Sequence, residues 1–344
     1  MQAVEIPAHG PASVLRVVDL PRPEPKAGEV LVRMLAVSVN RLDLFARAGM
    51  PGVKLPLPLI PGCDGTGEIA ALGSGVAGLA VGQKVLVEPG ASSGTSAHDR
   101  AGNDHLSDDY RIRGEHFDGL DREYVAVEAR YARPLPAGVD PVRAAAVPLV
   151  FLTAWGMLVT RARLAPGETV LVIAGTSGVG SAAIQIARDA GARVIATAGS
   201  PEKIGLCKEL GAEAAVDHSK SDWGQAVRSI AGKGGVDVVV EHVGPATWDT
   251  STKLLARNGR LVTCGGTTGP TVSLSLPHLF IKNQSILGST MGPRDAFGPI
   301  LDRVAKGIYR PVVDRVMPLS RIAEAHELLE ARKVLGKIVL TPGS

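Results

Sequence analysis

The segment TVLVIAGTSGVGSAAIQIA at residues 169 to 187 constrains the fold of this chain more than any other. A run of aliphatic β-formers leads through Gly175, Gly178 and Gly180 into a helix with an apolar face. Glycines at such a junction let the backbone approach a pyrophosphate and turn the amides of a helix N-terminus toward it. The spacing is Gly-x-x-Gly-x-Gly, with Thr176, Ser177 and Val179 between, and no Gly-Lys-Ser or Gly-Lys-Thr follows, which disfavours a triphosphate loop. From Glu168 onward strand-like runs alternate with amphipathic ones: ARVIATAG with PEKIGLCKELG, AEAAVDH with SDWGQAVRSIAG, VDVVVEHVG with PATWDTSTKLLAR, then RLVTCGG and QSILGST. Continuous Val and Ile runs need cover on both faces, and the intervening helices supply it. The pattern predicts an α/β fold with a doubly wound parallel sheet that binds a dinucleotide.

The first third reads differently. Short runs at 29 to 39, 66 to 73, 83 to 90 and 123 to 129, punctuated by Gly and Pro, predict the strands of a coiled, partly barrel-like sheet. Residues 91 to 121 are polar, rich in Gly and Asp, and form a lobe or long loop. An apolar stretch at 144 to 159 predicts a helix broken or kinked at Pro148. Further helices are expected at 296 to 307 and 321 to 333, the latter capped by Ser320, and a strand at 336 to 341. The expected division is 1–150 with 291–344 as one domain and 151–290 as the other.

Composition narrows the functional classes. With 41 Gly, 24 Pro and 3% aromatic residues, the 344-residue chain needs many turns around an aliphatic core. The net charge of +3 comes from interspersed residues, without the basic stripe that nucleic-acid binding requires. There is no membrane-length apolar run and no export-type start, and Cys63, Cys207 and Cys264 are too few for a disulfide framework, so a cytoplasmic protein with reduced thiols is expected.

The end of the second strand selects among nucleotides. An NAD site commonly offers an acidic side chain to the adenosine ribose there, and no acid occurs between Ala192 and Ser200. Ser200 and Lys203 follow instead, a hydroxyl and a cation suited to a ribose phosphate. NADPH is therefore the expected cofactor.

With VNRLDLFARAG at 39 to 49, PGCDGTGEI at 61 to 69, AGTSGVG at 174 to 180 and GKIVL at 336 to 340, the whole chain resembles the medium-chain dehydrogenase/reductase superfamily. It is similar to the zinc-independent quinone oxidoreductase branch and to zinc-type alcohol dehydrogenase-like reductases. The resemblance implies a GroES-like catalytic domain completed by the C-terminal tail, with a Rossmann domain inserted. Zinc-dependent relatives place a cysteine where this chain has Asn40, and a histidine-glutamate pair where it has Cys63 and Asp64. Structural-zinc relatives place four cysteines at the positions of Ser93, Ser96, Asp99 and Ser107. Neither set recommends zinc. The lobe then resembles one without its metal, ordered by packing or mobile.

The same resemblance implies catalytic roles for Asn40, Asp43 and Thr153, with Asn40 and Thr153 also facing the cofactor. Val243, Gly265, Gly266, Leu287, Gly288 and Ser289, at the ends of later strands, and Lys337, reaching in from the tail, complete the expected cofactor contacts. Cys63, Tyr110, His116, Phe117 and Trp155 are substrate-pocket candidates. Without a Lewis acid, a quinone or conjugated enone is the suitable small-molecule hydride acceptor, because its charge spreads to an oxygen that takes a proton. The alternatives are a zinc-dependent alcohol dehydrogenase with altered ligands and a non-enzymatic structural or RNA-interacting Rossmann protein. The resemblance also implies a homodimer or homotetramer, with residues 272 to 288 as the region of contact.

Overall fold

In the computed structural model, which describes residues 1–50 and 52–343, the strand Glu29–Ser38 organises the first half of the chain. Val30, Val32, Met34 and Val37 enter an aliphatic core with Val4, Ile69, Val85, Leu120 and Val125. The strand pairs antiparallel with Asp64–Leu72 and also with Tyr124–Glu128 and Lys337–Thr341. Lys84–Val87 and Ala132–Pro134 extend the sheet on one side, and Val313–Pro318 extends it on the other, parallel to Lys337–Thr341. Irregular register at Leu31/Val32 and Met34/Ala36 increases the local twist and curls the sheet. This unit comprises Met1–Leu149 and Phe297–Ser344, so residues from both ends of the chain share one sheet.

The second unit, Val150–Ala296, is built on six parallel strands. Their spatial order is Ala214–Asp217, Arg193–Ala198, Thr169–Val172, Val236–Glu241, Leu255–Thr263 and Ser285–Gly288. This is the order 3-2-1-4-5-6 of a doubly wound dinucleotide-binding sheet, as the strand-helix alternation predicts, with the reversal between Thr169–Val172 and Val236–Glu241. Leu171, Ile195, Val239 and Leu261 are fully buried between the helical layers. Residues 291 to 296 belong to this unit because their backbone presses on the helix Pro148–Trp155 and the turn after it. A Cβ at Gly156 would lie 2.1 Å from the Met291 carbonyl oxygen, and one at Gly292 would lie 2.6 Å from that of Leu152.

Some local expectations shift. The break expected at Pro148 is present, since the helix Pro141–Ala144 ends before it and Pro148 is the first residue of Pro148–Trp155, where its missing N–H has no helical partner to lose. Ser320 lies within a 3-10 turn, and the helix Ile322–Glu330 begins behind Arg321, which pairs with Glu324. The helices Arg41–Ala48 and Leu276–Ile281 lie inside segments whose helical period is too short to stand out in the sequence. Among the described residues no helix is long and apolar enough to cross a membrane.

The polar lobe is held by carboxylates. Asp99 accepts from the Ser92 hydroxyl at 2.6 Å, the Ser96 amide at 2.9 Å and the Ser107 hydroxyl at 3.3 Å. Asp109 accepts from the Ser107 hydroxyl at 2.6 Å and the Ser93 amide at 2.9 Å. Ser93, Ser96, Asp99 and Ser107 do not fit a zinc ion: hydroxyls are poor ligands, and the one carboxylate is already surrounded by donors. Burial acts to raise the Asp99 carboxyl, but the hydrogen bonds from Ser92, Ser96 and Ser107 outweigh it and hold the group at about 2. A folded value below the ordinary ~3.9 stabilises the lobe fully above about pH 4 and is lost as pH falls toward 2. Asp99→Asn should therefore increase pepsin nicking within residues 91 to 113 at pH 4 to 5, and should remove most of its pH dependence below that. Equal nicking of variant and parent across this range would show that the lobe is held by something else.

Candidate active site

The first unit gathers a buried polar cluster at the end of the strand Glu29–Ser38. Asn40 precedes the helix Arg41–Ala48, and its amide donates to Asp43 Oδ2 at 2.6 Å, which fixes the start of that helix. Its side-chain Nδ2 donates to Asp64 Oδ2 at 2.9 Å and lies 3.4 Å from Cys63 Sγ. Lys337, from the C-terminal strand, donates through Nζ to Asn40 Oδ1 and, at 3.0 Å, to Asp64 Oδ2. Asp64 is further held by the Ser38 hydroxyl at 3.2 Å and the Leu149 amide at 2.6 Å. Asn40, Asp43, Cys63, Asp64 and Lys337 are all less than one-tenth exposed.

Backbone geometry brings these groups together. Gly62 has φ +93°, and a Cβ there would lie 2.3 Å from Asp121 Oδ1; Gly119 packs so close that its own Cβ would meet the Gly62 carbonyl at 2.2 Å. Only glycines allow the 61 to 64 segment to turn this tightly and present Cys63 and Asp64 inward. The cluster then holds three carboxyls, Asp43, Asp64 and Asp121, against one ammonium. Burial raises the Asp43 carboxyl to about 7, with the Asp64 charge adding to it and the Asn40 amide and Lys337 opposing it. Burial and the Asp43 and Asp64 charges likewise push Asp121 and the Cys63 thiol well up. Excess carboxylate charge in a dry site is relieved by keeping protons.

A catalytic zinc ion does not fit these donors. The amide oxygen and carboxylate that face inward are engaged by an ammonium, and no imidazole stands among these residues. Among the described residues no group of three or more His, Cys, Asp or Glu side chains is arranged to hold a metal.

The second unit carries the phosphate-loop geometry. Ser177 caps the helix Gly178–Asp189 by accepting the Gly180 amide at 3.0 Å, which leaves Gly178 and Val179 as first-turn donors for an anion. A Cβ at Gly180 would lie 2.3 Å from the Ala174 carbonyl, and one at Gly175 would lie 2.8 Å from Cys207 Sγ, so both glycines are required by close packing. The loop thus fits a dinucleotide pyrophosphate. Ser200 caps the next helix, Pro201–Glu209, accepting the Lys203 amide at 3.3 Å. Val243, Gly265, Gly266, Leu287, Gly288 and Ser289 lie just beyond or at the C-terminal ends of later parallel strands, the same edge as the phosphate loop. Thr153 and Trp155 lie on the helix Pro148–Trp155 of this unit, Thr153 buried.

Other candidates have different settings. Lys337 directs its ammonium to Asn40 and Asp64. Tyr110 is raised by burial, with Asp104, Glu88, Tyr131 and Cys63 adding to it. His116 is exposed and accepts the Ile112 amide at 3.2 Å, and Phe117 lies under the Arg113 guanidinium. Sequence reasoning passed over Ser38, Asp121, His218 and His242. His242 Nε2 lies 3.0 Å from the Ser177 hydroxyl, and His218 Nδ1 lies 3.0 Å from Thr197 Oγ1 with its ring against Gly199. Both histidines directly follow a strand of the parallel sheet, and that position is the signal that marks them.

A curled sheet completed by its own C-terminus and a separate doubly wound nucleotide-binding sheet define a pyridine-nucleotide-dependent oxidoreductase. Two family models match, the alcohol dehydrogenase GroES-like domain over residues 26–137 and zinc-binding dehydrogenase over residues 178–306. The chain is 45% identical to a crystal structure described as an NAD-dependent alcohol dehydrogenase, with each chain covered in full and a TM-score of 0.96. It is 31% identical to a quinone oxidoreductase of Pseudomonas aeruginosa, over 98% of this chain and 99% of that one. It is also 31% identical to an acryloyl-coenzyme A reductase of Metallosphaera sedula, over 99% and 100%. The chain belongs to the medium-chain dehydrogenase/reductase superfamily.

The cluster has a thermodynamic signature. A carboxyl raised from ~3.9 to about 7 binds an extra proton in the folded state, so its contribution is fully present below about pH 4 and is lost as pH rises through 7. The parent protein should melt at a lower temperature at pH 8 than at pH 5. Asp43→Asn keeps an acceptor for the Asn40 amide and should flatten that slope; an unchanged slope would remove Asp43 from this account.

Proposed function

We propose that this enzyme is a metal-free, NADPH-dependent reductase of quinones or conjugated enones. The observation that carries the reading is the donor set of the buried cluster, where an ammonium occupies the inward-facing oxygen atoms of Asn40 and Asp64. A hydride acceptor at such a site must carry its own delocalised electron sink, which a quinone or enone does and a simple aldehyde does not. The relatives named for quinone and for acryloyl-coenzyme A are both named for electron-poor conjugated carbonyl compounds.

A bound nicotinamide would supply the hydride. The chain's part is to hold it and to shape the charge around the acceptor. Gly175, Thr176, Ser177, Gly178, Val179 and Gly180 cradle the pyrophosphate, and Ser200 with Lys203 receives the ribose phosphate. Val243, Gly265, Gly266, Leu287, Gly288 and Ser289 form the rim along which the cofactor lies. Asn40, held by Asp64 and Lys337, shapes the charge of the first unit's cluster, and Asp43 fixes the loop that carries Asn40.

The test is a substrate panel with both nucleotides. NADPH should bind at least about tenfold tighter than NADH, and Lys203→Ala should remove most of that preference, as expected for a charge-assisted contact of ~1.5–3 kcal/mol. Equal affinity for the two nucleotides, or turnover confined to alcohols, would favour the second reading, an NAD-dependent alcohol dehydrogenase like the 45% identical structure.

The enzyme is read as a homodimer or homotetramer in the cytoplasm. The strand Ser285–Gly288 ends the parallel sheet, and the neighbouring helix Leu276–Ile281 exposes Leu276, Phe280 and Ile281. Cys63, Cys207 and Cys264 are free thiols, in keeping with a reducing compartment. Phe280→Asp should shift the sedimentation coefficient toward that of the monomer without unfolding the chain; an unshifted oligomer would place the contact elsewhere.

A further inference from the structure

Where the later strands of the parallel sheet begin, three cations stand together without an anion. Arg228 donates through Nη2 to the Lys253 carbonyl at 2.7 Å, Lys282 through Nζ to the Leu255 carbonyl at 3.1 Å, and Arg257 through Nη1 to the Ile281 carbonyl at 2.9 Å. The first two carbonyls are two residues apart, and the third is joined by its peptide bond to Lys282, so all three heads gather on one stretch of backbone. Capping the ends of the helices Pro245–Leu254 and Leu276–Ile281 uses one N–H of each. It does not account for like charges set against one another. Burial, then the Arg228 and Arg257 charges, hold the Lys282 ammonium below the usual lysine range. Among the described residues no carboxylate is paired with any of the three.

The same backbone borders a cavity. Gln284 Nε2 donates to the Leu255 carbonyl at 3.1 Å, sharing it with Lys282, and Gln284 and Leu255 both line a cavity of about 280 Å³. Leu255, Leu279 and Ile286 give it an apolar wall, and Thr252, Ser273 and Ser275 a hydroxyl-bearing one. Its one lining carboxylate, Asp249, is neutralised by Lys253 at 2.7 Å. The volume is near the lower end for small-molecule pockets. Leu255 and Gln284 stand where their strands start, the opposite edge of the sheet from Gly178, Gly265 and Gly288, so the cavity is no part of the nucleotide cradle.

We propose that this is a second binding site, for a compact organic anion: the apolar body fills the cavity, and a carboxylate or sulfonate head lies on Arg228, Arg257 and Lys282. The guanidinium groups hold the oxygens of such a head in a fork, and the ammonium adds a point charge. A bound head also relieves the repulsion among the three cations. The site is independent of the reductase reading, since none of its residues belongs to the phosphate loop or to the buried carboxylate cluster.

The test is a fluorescence titration of the full-length protein with anilinonaphthalenesulfonate, an apolar aromatic body with one sulfonate, under saturating NADPH and again under saturating NADH. Dye that either nucleotide displaces belongs to the phosphate loop and is not counted. The parent should keep a saturable dye site that weakens as salt is raised. Phenylbutyrate should displace this dye, and inorganic phosphate, a head without a body, should not at the same concentration. Arg257→Gln combined with Lys282→Gln should weaken the dye at least about tenfold, with melting temperature and nucleotide affinity near the parent's. Thr252→Trp, which fills the cavity, should abolish the site while leaving the cations in place. Loss of all dye to nucleotide in the parent would overturn the proposal. So would equal dye affinity in the double variant, which would put the dye on the exposed Leu276, Phe280 and Ile281. Phosphate competing as well as phenylbutyrate would remove the cavity from the account and reduce the site to an adventitious ion only.

Discussion

The contact between Lys337 and Asp64 joins residues 273 positions apart and ties the last strand of the chain to the first sheet. Such a pair is costly to bury, since both charges leave water, and it persists only where geometry and further hydrogen bonds compensate. Here the Ser38 hydroxyl, the Asn40 side chain and the Leu149 amide provide that compensation. Each comes from a different stretch of chain, so the cluster depends on the strand Glu29–Ser38, the glycine turn at 62, the start of the helix Pro148–Trp155 and the tail all being in register. The position of a single ammonium thus summarises the architecture of the first unit.

That architecture was legible in the sequence to an uneven degree. The parallel sheet is readable because strands such as Thr169–Val172 and Val236–Glu241 are aliphatic runs, each followed by a helical segment, and Gly180 meets its packing partner, the Ala174 carbonyl, a few residues away. The buried cluster was readable only as separate residues. Asn40, Asp43, Cys63 and Lys337 each stand out by type and motif, but nothing along the chain tells that Lys337 turns toward Asn40 and Asp64. Direction of a side chain in a strand is decided by the sheet's pairing, here the register Val339 with Ser38, and that pairing is a long-range fact. Asp121 and Ser38 escaped notice for the same reason, being ordinary polar residues until folding removes their water.

The two places where wider-family members carry metal ions have been resolved in opposite ways. In the lobe, a carboxylate stands at the centre and hydroxyls and amides surround it, so the sign of the central charge is reversed relative to a metal. In the buried cluster the central charge keeps its sign, but an ammonium covalently attached to the chain provides it. A tethered cation cannot be chelated or exchanged, and it brings directional N–H bonds in place of an open coordination sphere.

The insertion of one unit within the other also has a temporal side. The strand Glu29–Ser38 meets Lys337–Thr341, and Val313–Pro318 lies beyond it, so the sheet begun by residues 29 to 134 is finished by residues 313 to 341. The sheet of residues 169 to 288 has all its strands long before that. On a ribosome, which delivers the chain from its N-terminus, the unit begun second is complete first, and the unit begun first waits with an open edge until Lys337–Thr341 has emerged.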